Sequence, residues 1–359
     1  MDQNKDEFSA FALSVAEKIV PQKRRTLIST TNPQSKLLLD LYHFGFSICS
    51  HKVRAVLAEL GLSWRSLELD PRLHENYNPD YVRLRLMSSQ AKNSKAANGW
   101  EGGSSVTESG FDALVVPTLV DYQHHEVLAD SLQICLHLAR KHTEKLTLLP
   151  ATLEDEILSQ LEIVDRTAHV ALLYGANPNG DGRSYLFRNL FKGEHVKKAE
   201  AAKQAWDPII GESEKLDAVY HAKVSKELAG RDFVASEEKM RETIHAVSKQ
   251  LVDFSLTLHK KDGKWICGDA FTIADIFWGV SLFRLEFLGY EWMYRNNAEL
   301  KNISTFADEM FKREAFKKAV CEWPSHPWSN PASKWLPKPS LSDRIIGLGS
   351  KVSGEIELN

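Results

Sequence analysis

Apolar positions recur along this chain with two different periods, and the change from one to the other divides it. Phe8, Phe11, Ala12, Val15, Ala16 and Ile19 repeat at helical spacing until Pro21 and a basic Gln22–Arg25 stretch interrupt them. That preface, residues 1–38, is expected to dock as an amphipathic helix, with its basic cluster on a solvated surface. A short apolar and aromatic run from Leu39 predicts a buried strand, and Val53, Val56, Leu57 and Leu60 then share one helical face. Gly61 stops that helix, residues 63–69 read as a second strand, and residues 78–86 read as a short helix behind a turn. From 87 to 112 the pattern dissolves into Ser, Gly, Asn and Ala, which predicts a long inserted surface loop of the kind that serves as a lid or stays disordered. Residues 115–121 and 126–128 then suggest an antiparallel hairpin, followed by a helix carrying Ile134, Leu136 and Leu138. The order is βαβ, then ββα.

Beyond Leu149-Pro150 the strand signal vanishes. Residues 152–175 predict one long helix with Ile157, Leu161, Val164, Ala168 and Leu172 on its core face. Further helical stretches follow at about 194–209, 212–229 and 235–260. Thr272 with Asp275 predicts a capping box at the start of an almost wholly apolar helix, expected at the centre of an all-helical domain. Two shorter helices reach Cys321, and the Pro/Ser-rich tail is expected to wrap the surface. The predicted division is an extension (1–38), an α/β domain (39–146, inserted at 87–112), an all-α domain (150–325) and a tail (326–359).

Composition narrows the class of protein. The 359 residues are 43% hydrophobic and 26% charged, as in a soluble globular chain of about two domains. Lys and Arg total 45 against 48 for Asp and Glu, so nothing here attracts nucleic acid or an anionic membrane. Cys49, Cys135, Cys267 and Cys321 are widely spaced with no Cys-x-x-Cys, and beyond the His124-His125 pair at a turn no histidines cluster in sequence, so neither a disulfide framework nor a metal site is expected. With no apolar signal core and no spanning run, the expectation is a cytoplasmic enzyme.

Three stretches carry candidate chemistry. Ser47 and Ser50 are good cap types, so Cys49 is expected in a first helical turn, where unpaired N–H groups and the positive dipole end favour a thiolate. The other three cysteines read as packing. Pro117 inside a strand pattern is abnormal, and a cis bond there would turn the backbone of Val116 toward a ligand. Asp130-Ser131 precedes a helix, where Ser131 can cap it or hold a carboxylate. On the predicted 152–175 helix, Glu162, Arg166 and His169 form a polar ridge apart from the core face. Glu162 and Arg166 also have the spacing of a surface ion pair, and His169 could accept a phenolic proton near neutral pH.

A Ser-x-Cys helix start, a strand-opening Val-Pro, an acid-Ser helix start and Gly268-Asp-x-Phe-Thr-x-Ala-Asp275, in that order, resemble the glutathione transferase superfamily over about residues 39–325. Ser47-Ile48-Cys49-Ser50-x-Lys52-Val53-Arg54 is similar to its zeta-like group, and Tyr81–Leu86 and His169–Ala176 are similar to the hydroquinone reductive dehalogenases within it. The resemblance implies a thioredoxin-like N-terminal domain, an all-α C-terminal domain and glutathione as co-substrate, with a homodimer as a common assembly. It implies that Val116 pairs with the cysteinyl part of glutathione and that Asp130 and Ser131 take its γ-glutamyl end. The glycyl end stays unassigned. Ser47 would hydrogen-bond the glutathione thiolate, Cys49 would form a mixed disulfide with glutathione, and Arg166, His169 and Tyr174 would wall the aromatic substrate. Aryl-ether cleavage, conjugation, maleylacetoacetate-type isomerisation and a non-catalytic binding role remain alternatives; Ile48 stands where the isomerases are expected to have serine.

Overall fold

The computed structural model describes residues 2–28, 39–180, 189, 191–261 and 263–325. The expected tail beyond Ser325 lies outside the described residues. A five-stranded mixed sheet, in the order β1-β3-β2-β4-β5, forms the first half. Its strands are β1 (Arg25–Ile28), β2 (Leu39–His43), β3 (Trp64–Glu68), β4 (Thr118–Asp121) and β5 (Glu126–Leu128), and only β2 and β3 run parallel. The sequence pattern predicted four of these. Edge strand β1 escaped it because four residues with only half-buried ends, Leu27 lying exposed between them, carry almost no alternation.

Helices cover both faces of the sheet. Helix α1 (Asp2–Ile19) buries Ala12, Val15 and Ala16 against Tyr42, Leu67 and Val120, together with α3 (Pro79–Leu86). The preface is thus an amphipathic helix docked on the sheet, as its periodicity predicts. Arg24 and Arg25 are not merely solvated: Arg24 pairs with Glu75, and Arg25 donates to the carbonyls of Val20 and Glu17. On the other face lie α2 (Ile48–Leu60) and α6 (Ser131–Lys141), whose apolar sides join one core with the helical half. Between them in sequence come two short helices, α4 (Ser89–Asn93) and α5 (Val106–Ser109).

The helical half contains α7 (Glu154–Arg166), α8 (His169–Tyr174), α9 (Glu194–Trp206), α10 (Glu214–Ala235), α11 (Glu237–Lys260) and α12 (Ile273–Phe287). The Thr272/Asp275 capping box forms, and Ile273 through Leu285 of α12 are all buried. Among the described residues no helix is long and apolar enough to cross a membrane.

Two expectations are corrected. The single 152–175 helix is broken, because Thr167 and Ala168 leave helical geometry between α7 and α8. The Thr167 hydroxyl bonds back to the Ile163 carbonyl and to Gln250, and the first turn of α8 takes an outside partner, Ala171 N–H donating to the Gly102 carbonyl at 2.8 Å. The 87–112 segment is likewise no free surface loop. It holds α4 and α5, a bridge between Ala96 and Phe111, and a buried Trp100. Gly102, at φ +85°, sits where a Cβ would lie 3.0 Å from that of Ala171, so the close contact with α8 needs glycine.

Histidines far apart in sequence do cluster in space. At the β4–β5 turn, Asp121 Oδ2 accepts from His124 Nδ1 at 2.7 Å and from His137 Nε2 at 3.0 Å, while Oδ1 accepts the N–H groups of Gln123 and His124. Both carboxylate oxygens are used in this hydrogen-bonded cluster, away from the large cavity.

Candidate active site

A cavity of about 280 Å³ opens between the sheet domain and the helical domain. Its first wall is the β2–α2 junction. Ser47 caps α2, its Oγ accepting from Ser50 N–H at 3.3 Å, which puts Cys49 in the first turn, half-buried and facing the cavity. Cys49 Sγ lies 3.3 Å from Ser104 Oγ of the insertion. The junction is held from behind by Arg54, which donates to the carbonyls of Phe44, Gly45 and Ala319 while stacking on Trp323. Arg54 is therefore a scaffold for the turn. Lys52 is buried beside Asp165 at 3.4 Å, and its charge reaches both Cys49 and Asp130.

The second wall is the bend at Val115–Pro117 that leads into β4. The Val116–Pro117 bond is cis, as expected, but the strand predicted over 115–121 begins only at Thr118, so Pro117 lies just before β4 rather than inside it. Neighbouring carbonyls are each taken by a side chain: Leu114 by Asn76, Val115 by Tyr81, and Pro117 by Arg85 at 2.6 Å. Val116 lines the cavity, and its N–H and C=O bond no other described residue. That combination presents one peptide unit to a ligand.

Asp130 and Ser131 open α6 beside this bend and also line the cavity. Asp130, not Ser131, is the cap, its Oδ1 accepting from Gln133 N–H at 3.0 Å. Burial, with Asp165 nearby, pushes the Asp130 carboxyl up to about 6.

The helical domain supplies the third wall, and here the predicted residues separate. His169 and Tyr174 line the cavity; Arg166 does not. Once the helix breaks at Thr167, the ridge of Glu162, Arg166 and His169 no longer exists. Arg166 is half exposed and pairs with Glu162 and Glu108, so the surface-pair alternative holds for it. His169 turns inward, with Nε2 2.8 Å from Ser281 Oγ, and burial next to Lys52 and Arg284 lowers its ring to about 3. It is a neutral, hydrogen-bonded core histidine, poorly suited to take a proton near pH 7.

That placement has a measurable consequence. The His169 ring should keep its neutral NMR signature down to about pH 4, well below the roughly 6.5 at which a free imidazole takes up its proton. Because the unfolded chain binds this proton first, its contribution to stability is full above about pH 6.5 and fades as pH falls toward 3. A His169 signal titrating between pH 6 and 7 would contradict the buried placement.

Tyr174 receives a hydrogen bond from Lys198 and packs on His195, which gives Nδ1 to Glu227 at 2.7 Å and edges onto Trp100. Glu227 also pairs with Lys223 at 2.7 Å, and Lys223 and Lys226 both reach Asp112 at the end of the insertion. None of this charged wall was identified from sequence, because its members come from α9, α10 and the insertion and share no local motif. Arg284 of α12 was missed too, although a charge within an apolar helix is a signal that could have found it.

Comparison with known proteins agrees with this geometry. Models of the glutathione S-transferase N-terminal and C-terminal domains match residues 46–141 and 222–317. A 2,5-dichlorohydroquinone reductive dechlorinase from Sphingobium indicum is 39% identical over 327 residues, covering 88% of this chain and 94% of that protein. A tetrachloro-p-hydroquinone reductive dehalogenase from Sphingobium chlorophenolicum is 25% identical, covering 78% and 95%. Among solved structures, a beta-etherase from a Sphingobium strain shares the fold with a TM-score of 0.52 at 19% identity, covering 79% of this chain and 98% of that one. A thiol-bearing helix start, a cis-proline at the entry to β4 and an acid-Ser helix start around one cavity, with both domain models and a 39% identical relative, place this chain in the glutathione S-transferase family.

Proposed function

We propose that the protein removes chlorine reductively from chlorinated hydroquinones, using two glutathione molecules per turnover. The observation that supports this most directly is Cys49 in the first turn of α2, facing a cavity whose other walls are Val116, Asp130 and Ser131. An enzyme thiol beside a glutathione site is what a reduction needs and a simple conjugation does not.

The steps balance as follows. Glutathione, with its cysteinyl backbone on Val116 and its γ-glutamyl end at Asp130 and Ser131, lies with its thiolate near the Ser47 hydroxyl, which is free to donate. The thiolate adds to the chlorine-bearing carbon of the quinonoid tautomer, and chloride leaves with its bonding pair. Proton loss restores the ring as a glutathionyl hydroquinone. Cys49 thiolate then attacks the glutathionyl sulfur; an S–S bond forms, the C–S pair goes to the ring carbon, and that carbon takes a proton. A second glutathione thiolate attacks the Cys49 mixed disulfide, releasing oxidised glutathione and restoring the thiolate. In sum, one chlorine is replaced by hydrogen and two thiols become one disulfide. The neutral His169 takes no part in moving these protons; Tyr174 contributes an aromatic wall.

Incubation with 2,5-dichlorohydroquinone and glutathione should yield chloride, monochlorohydroquinone and oxidised glutathione in equal amounts. A stable glutathione conjugate as the sole product of the natural sequence would replace reduction by conjugation. Formation of neither would leave the ring substrate wrong.

A further inference from the structure

The side chain of Arg284 comes off α12 and enters the floor of the cavity, where it is 3% exposed. One donor, Nη2, goes to the carbonyl of Phe46, and the guanidinium lies 4.5 Å over the Phe46 ring. The other donors are unspent: Nε and Nη1 are buried with no hydrogen-bond partner among the described residues. No described carboxylate pairs with it either. Other buried cations nearby are served more fully: Lys52 pairs with Asp165 and Lys223 with Asp112 and Glu227, while Arg54 and Arg85 each donate to several carbonyls.

A buried guanidinium held by one carbonyl and the faces of Phe46 and Phe287, the latter at 5.9 Å, is still a costly arrangement, since two donors stay unbonded and no carboxylate balances the charge. Burial brings it down only to about 10, so it stays a cation at neutral pH. It lines the same cavity as Cys49 and Tyr174 and interacts electrostatically with both. The missing counterpart is an anion that arrives with the ligand. Glutathione already has its own contacts along Val116, Asp130 and Ser131, and the ring substrate of the proposed reaction has two acidic hydroxyl groups, more acidic still with chlorine on the ring.

We propose that Arg284 binds the phenolate oxygen of the ring substrate through its unused donors, and so selects aromatic substrates bearing an ionisable hydroxyl. The assignment rests on the dehalogenase reading above and adds a role to it. When glutathione thiolate adds to the quinonoid carbon, negative charge moves onto the ring oxygen. A preorganised, water-shielded donor there stabilises that charge as it forms. Arg284 is then a catalytic residue in direct contact with substrate.

The test uses 4-nitrophenol, whose absorbance reports its ionisation, and 4-nitroanisole, which has no ionisable oxygen. The natural protein should bind nitrophenolate more tightly than nitroanisole and should lower the apparent pKa of bound nitrophenol. R284M should lose about tenfold to a hundredfold in nitrophenolate affinity, the scale of one or two charge-assisted hydrogen bonds, with nitroanisole binding unchanged. R284K, which keeps the charge, should retain part of the preference. Equal binding of both probes by the natural protein, equal loss of both in R284M, or full nitrophenolate affinity in R284M would each overturn the assignment. So would a moved pH profile for iodoacetamide labelling of Cys49 with nitrophenolate affinity intact, because the guanidinium would then serve the thiolate. None of these readouts needs turnover. A protein that shows the phenolate preference but releases no chloride keeps the Arg284 site and loses only the dehalogenase reading.

Discussion

C49S is expected to release chloride but to stop there, accumulating the glutathionyl hydroquinone and forming oxidised glutathione roughly a thousandfold more slowly or worse, the scale of loss when a covalent nucleophile is removed. The first thiol step belongs to glutathione and relies on the Ser47 hydroxyl, Arg284 and the cavity walls, which the substitution leaves in place. The second needs a sulfur that can attack sulfur. A serine hydroxyl is scarcely ionised at neutral pH and cannot replace it. No other thiol is positioned to substitute. Burial pushes Cys135 well above its ordinary range, Cys267 up to about 11 and Cys321 up to about 12, so all three remain protonated and packed. Mass spectrometry should find a glutathione adduct on Cys49 in the natural protein under limiting glutathione and none in C49S. Undiminished monochlorohydroquinone production by C49S would remove Cys49 from the mechanism.

The parts of this site legible in the sequence are those built by local chemistry. A cap such as Ser47, an intrahelical box such as Thr272 with Asp275 and a proline in a strand pattern all act within a few residues, so their effects survive translation from sequence to structure. The α7–α8 break was not legible for the opposite reason. No glycine or proline lies between Glu154 and Tyr174, and the helix yields because Thr167 finds Gln250 and Ala171 finds the carbonyl of Gly102, partners about 83 and 69 positions away. That break moves His169 from a polar ridge into the core and leaves Arg166 outside. The insertion was misread through its composition. Its few apolar residues lack a period because they dock singly, Trp100 against His195 and Phe233, Phe111 beneath Arg85. Periodicity detects an element that presents a face, not a segment pinned at separate points.

Where the insertion ends, Asp112 ties the two domains together, and its loss is expected to be the most damaging change away from the thiol. Its carboxylate is buried, yet it accepts from Lys223 at 2.9 Å and Lys226 at 3.0 Å, and its Oδ1 takes the N–H of Leu114 at 2.9 Å. Burial alone would raise this carboxyl; the two lysines outweigh it and hold it far below the usual carboxylate range, while Asp112 and Glu227 together hold Lys223 well above its own. The carboxylate's contribution is therefore present above about pH 4 and fades progressively as pH falls from there toward the depressed folded-state value. D112N removes the charge but keeps an oxygen for Leu114; D112A removes both. Each should cost about 3–5 kcal/mol in urea unfolding, as expected when one member of a buried ion network is deleted and its partners stay behind. Their effects on glutathione should differ. Leu114 lies two residues before Val116, so only D112A frees the bend that carries the presented peptide, and its glutathione affinity should fall well below that of D112N. Equal affinities in two variants of equal stability would show that the Asp112–Leu114 bond does not position Val116, and the bend would then owe its place to Asn76, Tyr81 and Arg85 alone.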